Sequence, residues 1–166
     1  MKDSEERGKE TESTIAVGDI LLERESDGFA RGIRFLRYGD SGKKSAFYFH
    51  RTSSSKALGW FGLSFEQASS SAELVFSCYG LGEEQTAAFL NTLLHLIASG
   101  RLLNEDRRIE SVYAWDFPFE GEGIYLKAGF LFLEERVVRD GLNDREMPIR
   151  DYVWKREEIV SSRKVQ

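Results

Sequence analysis

The sequence predicts one mixed α/β domain of the α+β kind: an antiparallel meander, then helix, strand and helix, then a closing hairpin. Three observations lead there. Strand-like runs at 46–50, 57–65 and 72–78 follow one another across short polar connections, as neighbours in an antiparallel sheet do. A long amphipathic helix comes next, with Leu90, Leu93, Leu94 and Ile97 at i, i+3, i+4 and i+7. The last third then alternates short strands with one more helix, which Gly129 ends.

Taken in order, residues 1–14 hold no apolar side chain besides Met1, too little to offset the entropy of ordering, and are expected as a disordered tail. Residues 158–166 are similar, so a single domain is expected over 15–157. A first strand at 19–25 ends at Asp27-Gly28. Residues 29–38 stay ambiguous: Phe29, Ile33 and Leu36 have helical spacing, yet Ile33 and Phe35 alternate about Arg34 as in a strand. A loop at 39–42 leads into the meander, which 53–55 and 67–71 punctuate. The long helix is expected over 83–99, with Asn91, Thr92, His95 and Ser99 on its polar face and Gly100 as its stop. A strand at 109–115, a helix at 120–128 and strands at 130–138 and 148–155 complete the chain, the last two joined across Asp140-Gly141. Gly129 stands where the residue after a last helical turn takes φ > 0, and Phe130 opens the next strand.

With 166 residues the chain can bury a full core. A net charge of −5 argues against nucleic acid or an anionic membrane as the main partner. Cys78, the only cysteine, excludes an internal disulfide and suits the cytoplasm. The start lacks the apolar core of a signal peptide, and no apolar run of about 18 residues would span a membrane. His50 and His95 have no Cys or carboxylate at ligand spacing, so no metal is expected. Cys78 reads as a small core hydrophobe, and Phe47, Phe49, Trp60, Phe61, Phe65, Phe76, Phe130 and Phe132 as mainly core.

Tyr125, a short gap and Gly129-Phe130 resemble the signature of the GNAT superfamily, enzymes that move an acetyl group from acetyl-CoA to an amine. The order of elements over 19–156 is similar to that acyl-CoA N-acyltransferase-like fold. Leu58-Gly59-Trp60-Phe61-Gly62 resembles its isoleucine-glycine-aromatic strand, and Ala72-Glu73-Leu74 the opening of its fourth strand. Two helices precede the meander in that fold, whereas 28–44 can hold at most one. Those helices wall the acceptor groove, so the resemblance implies a groove that is altered or more open.

The resemblance also implies a site. Acetyl-CoA would be the cosubstrate and a small-molecule or peptide amine the acceptor. Pantetheine would lie along the end of the fourth strand, Ser77, Cys78 and Tyr79. Pyrophosphate would rest on backbone N–H groups of Gly80, Leu81, Gly82, Glu83 and Glu84, where the long helix begins. The family's basic loop residue is absent, and Glu83 and Glu84 fall in the first turn instead. Two carboxylates suit the dipole of an unliganded helix. They oppose a bound pyrophosphate by about 1–3 kcal/mol per charge pair at ~5 Å and an effective dielectric of about 20–80.

Tyr125 matches the family's general acid toward the CoA sulfur; otherwise it is an amphipathic tyrosine with its ring in the core. The family asparagine seven residues earlier is replaced by Pro118. Glu73 matches the position of a base acting directly or through water; otherwise it is an exposed strand glutamate. Trp115 and Asp116 would face the acceptor, with Asp116 holding or deprotonating the amine; otherwise Asp116-Phe117-Pro118 is an Asx turn. The readings left open are an acetyl-CoA-dependent N-acetyltransferase with Tyr125 as acid and Glu73 or water as base, a catalytically inactive relative that binds a protein partner, and an unrelated α+β protein. The acceptor has no code in the sequence.

Overall fold

The computed structural model describes residues 14–25, 33–37, 42–103, 108–118, 123–140 and 144–156. A hairpin of β1 (Thr14–Val17) and β2 (Ile20–Arg24) leads into the meander β3 (Lys43–Arg51), β4 (Ala57–Phe65) and β5 (Ser71–Cys78). Helix α1 (Glu83–Ala98) and a 3₁₀ turn (Arg101–Leu103) carry the chain over to β6 (Ser111–Asp116). Helix α2 (Ile124–Lys127) then precedes the hairpin β7 (Leu131–Asp140) and β8 (Arg145–Lys155). All eight strands form one sheet in the order β1-β2-β3-β4-β5-β6-β8-β7. Only β5 and β6 are parallel, and α1 supplies the crossover that a parallel pair needs.

Alternation in the strands sorts the side chains onto two faces. Phe47, Phe49, Phe61, Leu63, Leu74 and Val112 pack with Leu90, Leu93, Leu94 and Ile97 of α1 in the main core. The opposite face carries a smaller cluster of Ile33, Phe35 and Ala46, with Trp60 and Val75 against it. There Gly62 leaves room for the chain to cross β4: a Cβ at that position would stand 2.6 Å from Ile33 Cδ1. The 33–37 segment is thus irregular chain laid on the sheet, neither helix nor strand. Residues 29–32 and 38 lie outside the described residues.

The expected architecture is the observed one, with local corrections. Thr14, assigned to a disordered tail, opens β1 and pairs with Glu23. Four residues are too few to show a period, but Ile15 and Val17 still pack against the core. Residues 1–13 and 158–166, the rest of the expected tails, lie outside the described residues, as does 157. The second helix is one turn long rather than nine residues, and 119–122 likewise lie outside. Phe132, expected in the core, is 52% exposed because it stands on an edge strand. The turn after α2 is as read: Gly129 has φ +106°, its N–H donates to Leu126 O, and Phe130 N–H donates back to Tyr125 O, the two bonds of a Schellman motif.

On β3, where it pairs with β2, His50 faces acceptors on both ring nitrogens. Nδ1 lies 2.7 Å from the carbonyls of Arg51 and Ser54, and Nε2 lies 3.2 Å from the Glu23 carboxylate, to which Tyr48 also donates. The bond to the Arg51 carbonyl, then that to Ser54 and the Glu23 carboxylate, raise the imidazole above its ordinary value of 6.5. A raised folded value means stabilisation that is complete below the unfolded value and fades as pH rises through the folded one. The melting-temperature gap between wild type and His50→Ala is therefore expected to be widest near pH 5 and to shrink toward about pH 9. A constant or widening gap contradicts this.

Candidate functional site

β5 and β6 pair over only four positions, from Ser71 opposite Ser111 to Leu74 opposite Ala114. Beyond them the strands part, although β5 stays paired with β4 as far as Cys78 and β6 with β8 as far as Asp116. The opening is a cleft of about 240 Å³ lined by Phe76, Ser77 and Cys78 of β5, Trp115 and Asp116 of β6, Thr86 of α1, and Ile124 and Tyr125 of α2. Five residues singled out from the sequence, Ser77, Cys78, Trp115, Asp116 and Tyr125, thus meet in one place.

Their surroundings define what each can do. The Tyr125 ring is buried, stacked on Tyr152 with centroids 5.0 Å apart and edge-on to Phe130 at 5.2 Å. The buried Asp116 carboxylate accepts from Arg150 Nε at 2.9 Å and from the Tyr152 hydroxyl at 3.3 Å. Asp116 is thus an ion-paired anchor for Tyr152, which in turn supports the Tyr125 ring. The Trp115 indole N–H is buried with no hydrogen-bond partner among the described residues, and its ring stands edge-on to Phe117.

Thr86 N–H and Oγ1 both bond Gly82 O at 2.8 Å, and Gly82 is the N-cap with no side-chain cap. The N–H groups of Glu83, Glu84 and Gln85 therefore have no acceptor within α1. The amides of Tyr79 and Gly80 are committed elsewhere: both donate to Leu58 O, at 2.9 and 3.0 Å, and the Tyr79 side chain is exposed. Lys127, in the last turn of α2, bridges Glu83 at 3.3 Å and Glu84 at 3.2 Å. Its hydrogen bonds to Glu84, then Glu83, raise its pKa. The two carboxylates thus share one cation, which the sequence did not reveal across more than forty residues.

Glu73 is not among the residues that line this cleft. Its neighbours Ala72 and Leu74 belong to the core against α1, so alternation turns Glu73 to the other face. There its two oxygens accept the N–H groups of Leu36 at 2.7 Å and Arg37 at 2.6 Å. It pins the 33–37 segment across the sheet. Arg150 and Tyr152 were also missed. Their only signal was alternation in the last strand, and Asp116 meets Arg150 only once the β6–β8 register is known.

No family model matches the sequence, and no curated protein matches it. Solved structures match it in fold. A spermidine N-acetyltransferase from Vibrio cholerae, in complex with CoA and spermine, is 12% identical with a TM-score of 0.59, over 87% of this chain and 99% of that one. A dodecameric structure of the Vibrio cholerae spermidine N-acetyltransferase gives 13% and 0.58, over 88% and 99%. A Vibrio cholerae protein assigned as a ribosomal-protein-serine acetyltransferase gives 9% and 0.59, over 86% and 97%. The chain thus has the N-acetyltransferase fold of the GNAT kind. At these identities the likeness fixes architecture and assigns no residue a role. Among the described residues no group of three or more His, Cys, Asp and Glu is placed to hold a metal ion, and no helix is long and apolar enough to cross a membrane.

Hydrogen bonds to a charged acceptor contribute about 1.5–3 kcal/mol, so Glu73→Gln is expected to lower the urea unfolding free energy by roughly that amount. Unchanged stability would contradict this.

Proposed function

We propose that this chain is an acetyl-CoA-dependent N-acetyltransferase acting on a small-molecule or peptide amine, in the cytoplasm. The observation that carries this reading is the parting of β5 from β6 with Tyr125 in the lining of the gap. Three features fit the cosubstrate. Past Leu74 the β5 backbone has no ladder partner on its β6 side among the described residues, which suits an extended chain bearing amides. The first amides of α1 suit a phosphate, although only those from Leu81 onward remain after Tyr79 and Gly80 are used. Lys127 offsets part of the charge of Glu83 and Glu84.

Acetyl-CoA, when bound, supplies an activated acetyl thioester. The protein contributes position and one proton. β5 and β6 hold the thioester and a neutral amine in the same gap, which removes most of the entropic barrier to their encounter. Tyr125 donates its hydroxyl proton to the sulfur as the C–S bond breaks and the C–N bond forms, and it recovers a proton from water. Water takes the proton shed by the acceptor nitrogen, because Glu73 faces away and Asp116 is tied to Arg150. Asp116, Arg150 and Tyr152 keep the Tyr125 ring in place.

A second reading, a binding module of the same fold without catalysis, is favoured by Glu83, Glu84 and the two committed amides. The two readings differ in a thiol-release assay with acetyl-CoA and a panel of amines headed by spermidine and spermine, the polyamines named for the structural neighbours. Release with at least one amine is expected. Tyr125→Phe should then slow turnover by about 10²- to 10⁴-fold with little change in acetyl-CoA affinity. An unchanged rate in that variant removes Tyr125 as the acid, and silence across the panel favours the binding module.

A further inference from the structure

Trp115, the first β6 residue beyond the ladder, lines the cleft and also a hollow on the opposite face of the sheet. It shares that hollow with Arg37, Glu73, Tyr113, Arg136 and Asp151. Val112 and Ala114 belong to the core against α1, so alternation turns Tyr113 and Trp115 together to the other face. Tyr125 and Thr86 stand on the α1 side, with the amides that suit a phosphate. A cosubstrate on that side leaves the hollow to the acceptor amine.

The carboxylates of the hollow are already engaged. Glu73 accepts the N–H groups of Leu36 and Arg37, and Asp151 is ion-paired with Arg136. Arg37 is different. It is exposed, its guanidinium lies over the Tyr113 ring at 4.1 Å, and among the described residues no carboxylate pairs with it. Its backbone is pinned by Glu73 and its side chain rests on an aromatic face, which holds the planar fork ready for a carboxylate. The sequence concentrates positive charge around it: within 31–44, Arg31, Arg34, Arg37, Lys43 and Lys44 stand against Asp40 alone, in a chain of net charge −5. Lys44 Nζ lies 5.8 Å from the centre of the Phe35 ring, in the same segment. Such a field attracts an anion and opposes a polycation.

We propose that Arg37 is a specificity-determining residue that receives a carboxylate of the acceptor, so the acceptor is an amine bearing an acid group rather than a polyamine. The amine's role rests on the acetyltransferase reading; the anion site does not. Tyr113 and Trp115 are neighbours on one face of β6, about 7 Å apart, which sets the span from the carboxylate at Arg37 to the nitrogen at the gap.

The test compares straight-chain ω-amino acids with their uncharged amides, and with spermidine, in the thiol-release assay with acetyl-CoA. Wild type is expected to favour each acid over its amide by at least about tenfold in kcat/KM, most strongly where nitrogen and carboxylate lie about 7 Å apart. The preference should reside in KM. Arg37→Gln should abolish it, and Arg37→Lys, which keeps the charge without the fork, should keep part of it. Neither substitution removes the backbone N–H that Glu73 holds, so loss of the preference does not follow from a loosened segment. Calorimetric titration of the same acid and amide pairs reads the anion site without turnover. Turnover with no advantage for acids, or an advantage that survives Arg37→Gln, overturns the proposal and leaves the acetyltransferase reading standing. Acid-selective binding that Arg37→Gln abolishes, without turnover of any amine, supports the anion site and counts against the acetyltransferase reading. Neither turnover nor selective binding overturns both.

Discussion

The cleft depends on where the parallel ladder between β5 and β6 stops. Four pairs hold the strands together, and neither strand ends there. β5 runs on against β4, with Cys78 opposite Gly59, and β6 runs on against β8, with Asp116 opposite Arg150. Each strand keeps its outer neighbour, so the gap is a stable feature of the sheet rather than a frayed end. Past Leu74 the β5 backbone has no β6 partner among the described residues, which is an expensive state inside a protein unless something else pairs with it. Everything proposed for the site follows from that geometry.

Charge decides how much the gap can do. The chain is acidic overall, and the acidic side chains at the start of α1 and in the cleft lining are each held by a basic side chain from a distant part of the sequence: Glu83 and Glu84 by Lys127, Asp116 by Arg150. The first pairing is exposed and therefore weak in water and easily exchanged for another anion. The second is buried, so its loss would leave a charge unpaired in the wall that carries Tyr152. The exposed cluster is where a phosphate could compete, whereas the buried one is structural.

Legibility followed the range of the interaction. The meander, α1 and the Gly129 turn were readable because they rest on local period and backbone conformation. The gathering of Ser77, Cys78, Trp115, Asp116 and Tyr125 followed from the order of elements and the resemblance to a known fold. What stayed hidden depends on register or on irregular chain. Glu73 looked available because nothing in the sequence shows the 33–37 backbone crossing above it with two N–H groups. Nothing in the sequence links Lys127 to Glu83 and Glu84, and the exposure of Phe132 required knowing that β7 is an edge. β1 was missed because Gly18 allows a tight hairpin between strands too short to show a pattern.

The most direct measurement is a calorimetric titration of acetyl-CoA into the wild-type chain and into Glu83→Gln with Glu84→Gln. If the gap and the start of α1 form the cosubstrate site, wild type binds saturably. The double variant, relieved of two charges worth about 1 kcal/mol or more each against a pyrophosphate, then binds at least about tenfold more tightly. No heat from either protein at millimolar acetyl-CoA would contradict the account and leave an acetyltransferase fold that does not hold acetyl-CoA.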